Sequence, residues 1–234
     1  MRYRAVFFDA GETLVHPLPS FPELFATIVT REGHPREPAD VVAASSVVTG
    51  LFSEAARANT LWTTSPERSE AFWQDVYARM LRALDLPSGD GLGDTLYGAF
   101  TDLANYGLFD DVPPALEPLS ANGVILGVVS NFEAWLDDLL VALGVRERFG
   151  VVVISGREGM EKPDPAIYRL ALERAGVAPE DAAFVGDNPE FDVHPPAALG
   201  MFPVLIDRRG RHEDFAGPGV RITDLADLAS ALEA

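Results

Sequence analysis

The chain has no cysteine among its 234 residues. Disulfide bonds, thiolate metal sites and a cysteine nucleophile are therefore excluded. It also lacks long apolar runs. The first apolar stretch, Ala5 to Phe8, ends at Asp9, which is far too short for a signal-peptide core, and no run approaches the roughly 20 apolar residues of a membrane span. These absences favour a cytoplasmic protein with no membrane partner.

Basic residues are scarce. The chain has 18 lysines and arginines against 36 acidic residues, so its formal net charge is −18, and Lys162 is the only lysine. Such a charge opposes binding to nucleic acid or to anionic lipid. An anionic small-molecule substrate would need cations of the binding site's own to overcome the same repulsion.

Apolar runs alternate with helical patterns over most of the chain, and hydrophobic residues make up 47% of it. Unbroken β-branched runs are typical of strands that are covered on both faces. Strands separated by helices of ten or more residues imply right-handed crossovers and a parallel α/β sheet. The predicted strands are Ala5–Phe8, Val124–Val129, Val151–Ile154, Ala182–Val185 and Phe202–Ile206. A terminal helix is predicted from Asp224, capped by Thr223.

A helical segment interrupts this alternation after the first strand. Residues 15–106 show apolar side chains at helical spacing, most clearly from Phe72 to Leu84. The sequence therefore predicts a core built from residues 1–14 and 107–234, with an all-helical insert at 15–106.

Polar side chains follow the predicted core strands. Asp9 ends the first, Ser130 and Asn131 the second, and Asp187 the fourth, while Lys162 lies in the loop after the third. Ligands of open parallel sheets bind beyond the carboxyl ends of the strands. Taken singly, each residue has an ordinary structural explanation as a turn residue, a helix cap or a solvated loop lysine. Their coincidence at one edge favours a functional site.

Four segments resemble the ordered signature motifs of the haloacid dehalogenase superfamily: VFFDAGETL, VVSNF, EKPDPAIY and FVGDNPEFD. The resemblance covers residues 1–14 and about 107–207. It implies a Rossmann-like α/β core with an inserted, all-helical cap of the C1 type. It also implies a hydrolase that acts on a small phosphorylated molecule.

The resemblance implies a role for each residue that contacts the phosphoryl group. Asp9 would be the nucleophile that forms an aspartyl-phosphate. Ser130 would hydrogen-bond a transferring phosphoryl oxygen, helped by the backbone N–H of Asn131. Lys162 would neutralise charge on the nucleophile and the phosphate.

By the same resemblance the cofactor is Mg²⁺, which prefers hard oxygen ligands. Asp9, the backbone carbonyl of Gly11 and Asp187 would be its protein ligands. Asp192 would support this site, and Thr13 would fix the geometry of the loop that follows Asp9.

One position departs from the phosphatase pattern. Phosphatases of the superfamily carry a second aspartate two residues after the nucleophile, as general acid and base, and this chain has Gly11 there. Acid–base assistance is worth about 10²–10⁴-fold. Glu12 is a candidate substitute, although it lies one residue further along. A non-acidic residue at this position occurs in the branch of haloacid dehalogenase-like hydrolase domain-containing protein 3, which this chain closely resembles.

Two alternatives to a phosphatase stay open. The dehalogenases of the superfamily also lack the second aspartate, but they carry tyrosine there and do not need the Gly186-Asp187 pair. A phosphate-binding or regulatory protein with little turnover would also fit Gly11. Phosphonatases need a second lysine in the cap, which this chain does not have.

Overall fold

A computed structural model describes residues 2–58, 61–89 and 91–233. The chain divides into two compact units. The first combines Met1–Val15 with Leu108–Ala234, and the second is His16–Gly107. Within the described residues, no helix is both long enough and apolar enough to cross a bilayer.

The strands fall into two sheets. In chain order they are β1 (Ala5–Phe8), β2 (Val15–Pro17), β3 (Tyr106–Leu108), β4 (Ile125–Ser130), β5 (Val151–Ile154), β6 (Ala182–Gly186), β7 (Phe202–Ile206) and β8 (Val220–Ile222). Six of them form a sheet in the order β5-β4-β1-β6-β7-β8, and all its neighbouring strands run parallel. This arrangement confirms the predicted Rossmann-like parallel core.

The helices surround this sheet in the first unit and make up most of the second. In chain order they are α1 (Phe21–Arg31), α2 (Pro38–Ala44), α3 (Ser46–Ala58), α4 (Pro66–Ala83), α5 (Leu92–Phe100), α6 (Val112–Ala121), α7 (Leu136–Ala142), α8 (Ser155–Glu158), α9 (Pro165–Ala175), α10 (His194–Leu199) and α11 (Leu228–Ala231).

Local sequence explains where several of these helices begin. The side chains of Ser20 and Ser65 accept hydrogen bonds from backbone N–H groups in the first turns of α1 and α4. Asp164 caps α9 in the same way, and Pro165 follows as its first residue. Such caps satisfy N–H groups that have no partner within the helix, and proline fits the first turn because it has no N–H.

Each unit has its own apolar core. In the first, strand residues such as Phe7 and Phe184 are buried with Ile167 and Tyr168 of α9. In the second, Phe25, Tyr77 and Leu96 are buried among helices α1, α4 and α5. The two clusters therefore stabilise the sheet and the helical segment separately.

Three features differ from the sequence-based expectation. The short strands β2 and β3 pair at the two ends of the helical segment and were not predicted. Strand β8 was also missed. The C-terminal helical segment begins with a 3-10 turn, Leu225–Asp227, directly before α11. This turn is capped by Asp224 rather than Thr223, since the Asp224 carboxylate accepts the Ala226 N–H at 2.7 Å.

Candidate active site

Three neighbouring strands deliver the predicted site residues to one edge of the sheet. Asp9 follows β1, Ser130 ends β4 and Asp187 follows β6, while β4 and β6 pair with β1 on either side. The Ser130 hydroxyl donates a hydrogen bond to Asp9 Oδ1 at 2.9 Å, and both residues are buried. The structure therefore brings together residues that lie 121 positions apart in the chain.

Lys162 lies at the centre of the site. Its Nζ contacts Asp9 Oδ1 at 2.6 Å and Asp192 Oδ1 at 2.7 Å, and only 3% of its side chain is exposed. Burial alone would lower the pKa of Lys162, but the charges of Asp192 and Asp9 raise it above its ordinary value. The lysine is therefore held as a cation in contact with Asp9.

Asn131 holds Lys162 through its side chain. Asn131 Nδ2 donates to the Lys162 carbonyl at 2.7 Å, and Asn131 Oδ1 accepts the Lys162 N–H at 2.6 Å. This pair of hydrogen bonds fixes the backbone from which the lysine side chain extends. From the sequence, only the backbone N–H of Asn131 was expected to contribute to the site, so this contact of its side chain was not predicted.

Three carboxylates converge beside the lysine. One oxygen from each of Asp9, Asp187 and Asp192 lies within 4.8 Å of the other two. Burial and the neighbouring charges of Asp192 and Asp9 raise the pKa of Asp187 well above 3.8. Burial, only partly offset by Lys162, raises the pKa of Asp192 to about 6. This concentration of buried negative charge and hard oxygen atoms fits a divalent cation such as Mg²⁺.

Gly186 allows Asp192 to come this close. A Cβ atom at Gly186 would lie 2.3 Å from the Asp192 carboxyl carbon. Asp192 lies in a π-helical segment, Pro189–Val193, and its Oδ2 accepts the Asn188 N–H at 3.0 Å. Such segments are frequent at functional sites because they change the direction of a helical side chain.

Arg208 holds the loop after Asp9. Its guanidinium donates to both carboxylate oxygens of Asp111, at 2.7 and 2.9 Å, and to the Thr13 carbonyl at 2.9 Å. Burial would raise the pKa of Asp111, but hydrogen bonds from Arg208 and the Leu225 N–H lower it. The side chains of Arg208 and Asp111 are only 13% and 12% exposed. Thr13 is fully buried, and its role in fixing this loop stays a prediction.

Gly11 and Glu12 occupy the turn that follows Asp9. A Cβ atom at Gly11 would meet no heavy atom within 4 Å. Glu12 has a left-handed backbone, with φ of 56°, and its carboxylate contacts Arg209 at 2.6 Å. The Glu12 side chain is therefore engaged by an arginine. Coordination of a metal by the Gly11 carbonyl stays a prediction.

A family model described as haloacid dehalogenase-like hydrolase matches residues 3–200. The chain belongs to this family. The match includes all four motif segments and most of the sheet, so it also confirms the hydrolase class that the motifs predicted.

Two curated relatives within this family are similar to the chain. Mouse haloacid dehalogenase-like hydrolase domain-containing protein 3 is 36% identical over 59% of this chain and 56% of its own length. Phosphoserine phosphatase of Thermus thermophilus is 39% identical over 57% of this chain and 55% of its own length. The chain thus spans about half the length of these relatives.

The structure of the HAD-hydrolase YfnB from Bacillus subtilis, bound to magnesium, covers 100% of both chains at a TM-score of 0.79 and 16% identity. At that identity the likeness shows the fold alone. It agrees with the parallel sheet and helical segment of this member of the family.

Asp187→Asn is expected to stabilise the metal-free protein at neutral pH. The raised pKa means that ionising Asp187 in the folded state costs free energy, and this cost appears as pH rises from 3.8 through the raised value. The variant should unfold at a higher temperature than the wild type at pH 7, and the difference should vanish below pH 3.8, where Asp187 is protonated in the folded and the unfolded states.

Thermal unfolding with and without Mg²⁺ checks this expectation. Mg²⁺ should raise the unfolding temperature of the wild type and have much less effect on Asp187→Asn. Asp181→Asn, which removes an exposed carboxylate, is the matched control and should behave like the wild type. An undiminished Mg²⁺ response in Asp187→Asn would remove this residue from the metal site.

Proposed function

We propose that this protein is a magnesium-dependent phosphatase that acts on a small phosphorylated metabolite through an aspartyl-phosphate on Asp9. The observation that carries the proposal is the contact of one buried lysine with both Asp9 and Asp192, beside a third carboxylate. A cation next to a carboxylate nucleophile lowers the repulsion that an incoming phosphate dianion would meet.

Asp9 attacks phosphorus and forms a bond from its carboxylate to the phosphoryl group while the ester P–O bond breaks. The leaving oxygen departs as an alkoxide or phenolate and takes its proton from water, since Gly11 supplies none. Because Asp9 Oδ1 accepts the hydrogen bonds from Ser130 and Lys162, we assign the attack to Oδ2. Lys162 and the Ser130 hydroxyl then contact the transferring phosphoryl oxygens, with the Asn131 N–H. Water cleaves the aspartyl-phosphate and releases inorganic phosphate.

Asp9, Asp187 and the Gly11 carbonyl would hold Mg²⁺, with Asp192 in support. When bound, the cation neutralises charge on the carboxylates and the phosphate. Two similar proteins support the wider proposal: one relative is named a phosphoserine phosphatase, and the YfnB structure, which shares the fold, is bound to magnesium.

The domain roles belong to the same proposal. Residues 1–14 and 107–234 form the catalytic core, and residues 15–106 form the helical cap. In enzymes with mobile caps, closure selects the substrate and excludes water from the reaction. The cytoplasm is the proposed location.

Phosphate release from an aryl and an alkyl phosphate, with Mg²⁺ and with a chelator, tests the proposed activity. The aryl phosphate should react faster, since phenolate leaves without needing the acid that Gly11 lacks. Both activities should disappear with the chelator. Chloride release from a 2-chloroacid that persists with the chelator would instead identify a dehalogenase. Phosphate binding with no turnover of any ester would identify a regulatory protein.

A further inference from the structure

The loop after β7 is held in a fixed shape by a buried carboxylate. Asp207 is 3% exposed, and its two oxygens accept the N–H groups of Arg211 and His212 at 2.8 and 2.9 Å. Arg221 Nε adds a third hydrogen bond at 2.9 Å. Burial would raise the pKa of Asp207, but these donors lower it. The carboxylate therefore anchors the turn that carries Arg209 and Arg211.

Both arginine side chains of this turn reach back to the site. Arg209 Nη2 contacts Glu12 Oε2 at 2.6 Å, and Arg211 Nη2 contacts Asp187 Oδ2 at 3.1 Å. Glu12 follows Gly11, and Asp187 is one of the three converging carboxylates. The two guanidinium groups therefore lie beside the edge of the sheet where Asp9 lies.

These ion pairs are poorly placed to contribute stability. The side chains of Arg209 and Arg211 are 43% and 48% exposed, and exposed ion pairs are typically worth about 0–1 kcal/mol. They are well placed for binding. A guanidinium has five N–H donors in a planar fork that matches a carboxylate or a phosphate, and each of these contacts uses one nitrogen.

The negative net charge of the chain means that an anionic ligand needs cationic side chains at its binding site. With a net charge of −18, the protein repels small anions over most of its surface. Lys162 already contacts two carboxylates. Arg209 and Arg211 are exposed cations that the fold brings to the same edge.

We propose that Arg209 and Arg211 bind a second anionic group of the substrate, a carboxylate or another phosphate, while its reacting phosphate lies at Asp9. This inference rests on the proposed function and gives the substrate class as phosphate esters with two anionic groups. Glu12 and Asp187 hold the two guanidinium groups in position until the ligand binds.

The test compares a ligand that has one anionic group, propylphosphonate, with two ligands that have two. These are 3-phosphonopropionate and ethane-1,2-bisphosphonate, in which two carbon atoms separate the anionic groups. Their carbon–phosphorus bonds resist phosphate-ester hydrolysis, so calorimetry with Mg²⁺ measures binding whether or not the protein turns over any ester. The wild type should bind 3-phosphonopropionate, ethane-1,2-bisphosphonate or both more tightly than propylphosphonate. The expected difference is roughly tenfold or more, as for charge-assisted hydrogen bonds.

Arg209→Gln and Arg211→Gln should each reduce this preference, and the double variant should abolish it. Arg4→Gln is the matched control. Arg4 is an exposed arginine that pairs with Asp181, and it lies just before β1, at the opposite edge of the sheet. It should keep the full preference. The carboxylate and bisphosphonate arms identify which second anion the loop prefers.

Equal binding of all three ligands to the wild type would overturn the inference, as would a preference that survives in the double variant. If Arg211 only neutralises Asp187, Arg211→Gln should tighten Mg²⁺ binding and change the affinity for all three ligands equally. That result would also contradict the inference. Absence of ester hydrolysis together with a retained preference would instead refute the phosphatase proposal and leave the anion site standing.

Discussion

Asp9→Asn is expected to lower the turnover number for an aryl phosphate by at least about a thousandfold, which is the scale seen when a covalent nucleophile is removed. The amide is a poor nucleophile, so no aspartyl-phosphate can form. Lys162 keeps its contact with Asp192 at 2.7 Å, so the buried cation retains a partner and the fold should persist.

Steady-state phosphate release and acid quenching with a radiolabelled phosphate ester check this result. Label should be retained on wild-type protein and absent from Asp9→Asn. Asp138→Asn, which changes an exposed carboxylate on α7, is the control and should match the wild type in both assays. Turnover by Asp9→Asn above a tenth of the wild-type rate would require a different nucleophile.

The central strands were predictable because their apolar, β-branched residues favour a buried strand over a helix or a loop. Val151–Ile154 is an unbroken β-branched run, and the structure has a strand with the same bounds. Strand β8 (Val220–Ile222) contains an arginine and has only three residues. Its pairing with β7 therefore depends on tertiary contacts that a local pattern does not encode.

The edge of the sheet that carries the candidate site was predictable for a different reason. A parallel sheet brings the carboxyl ends of neighbouring strands together. Asp9 and Asp187 approach each other because β1 and β6 are neighbours in the sheet, although the strand order itself was not predicted. Their roles came from the resemblance of the motifs to a known superfamily. Those roles remain predictions until the variants are measured.

Contacts between loops were not predictable from the sequence. The side chain of Asn131 contacts a residue 31 positions away, and Arg209 contacts Glu12 across 197 positions. Arg208 and Arg209 are adjacent in the chain, yet the side chain of Arg208, paired with Asp111, is 13% exposed and that of Arg209 is 43% exposed. Neither periodicity nor composition separates such neighbours, because the packing of the loop decides their burial.

Gly11→Asp is expected to raise the turnover of an alkyl phosphate by about 10²–10⁴-fold, the usual contribution of a general acid and base. The position can accept the side chain. A Cβ atom there has no heavy atom within 4 Å, and Gly11 is not among the glycines with positive φ. The new carboxyl group would follow Asp9 by two residues, where it can protonate the leaving alkoxide.

The leaving group separates this explanation from a general change in the site. An alkoxide needs protonation far more than a nitrophenolate does, so Gly11→Asp should accelerate the alkyl ester much more than the aryl ester. Gly11→Asn supplies nearly the same shape without an acidic proton, and it should leave both rates close to the wild type. Equal acceleration of both esters, or acceleration by asparagine, would show that volume rather than proton transfer limits this site. Unchanged alkyl turnover in Gly11→Asp would mean that another group already protonates the leaving oxygen, and Glu12, held by Arg209 at 2.6 Å, would then be the first residue to replace.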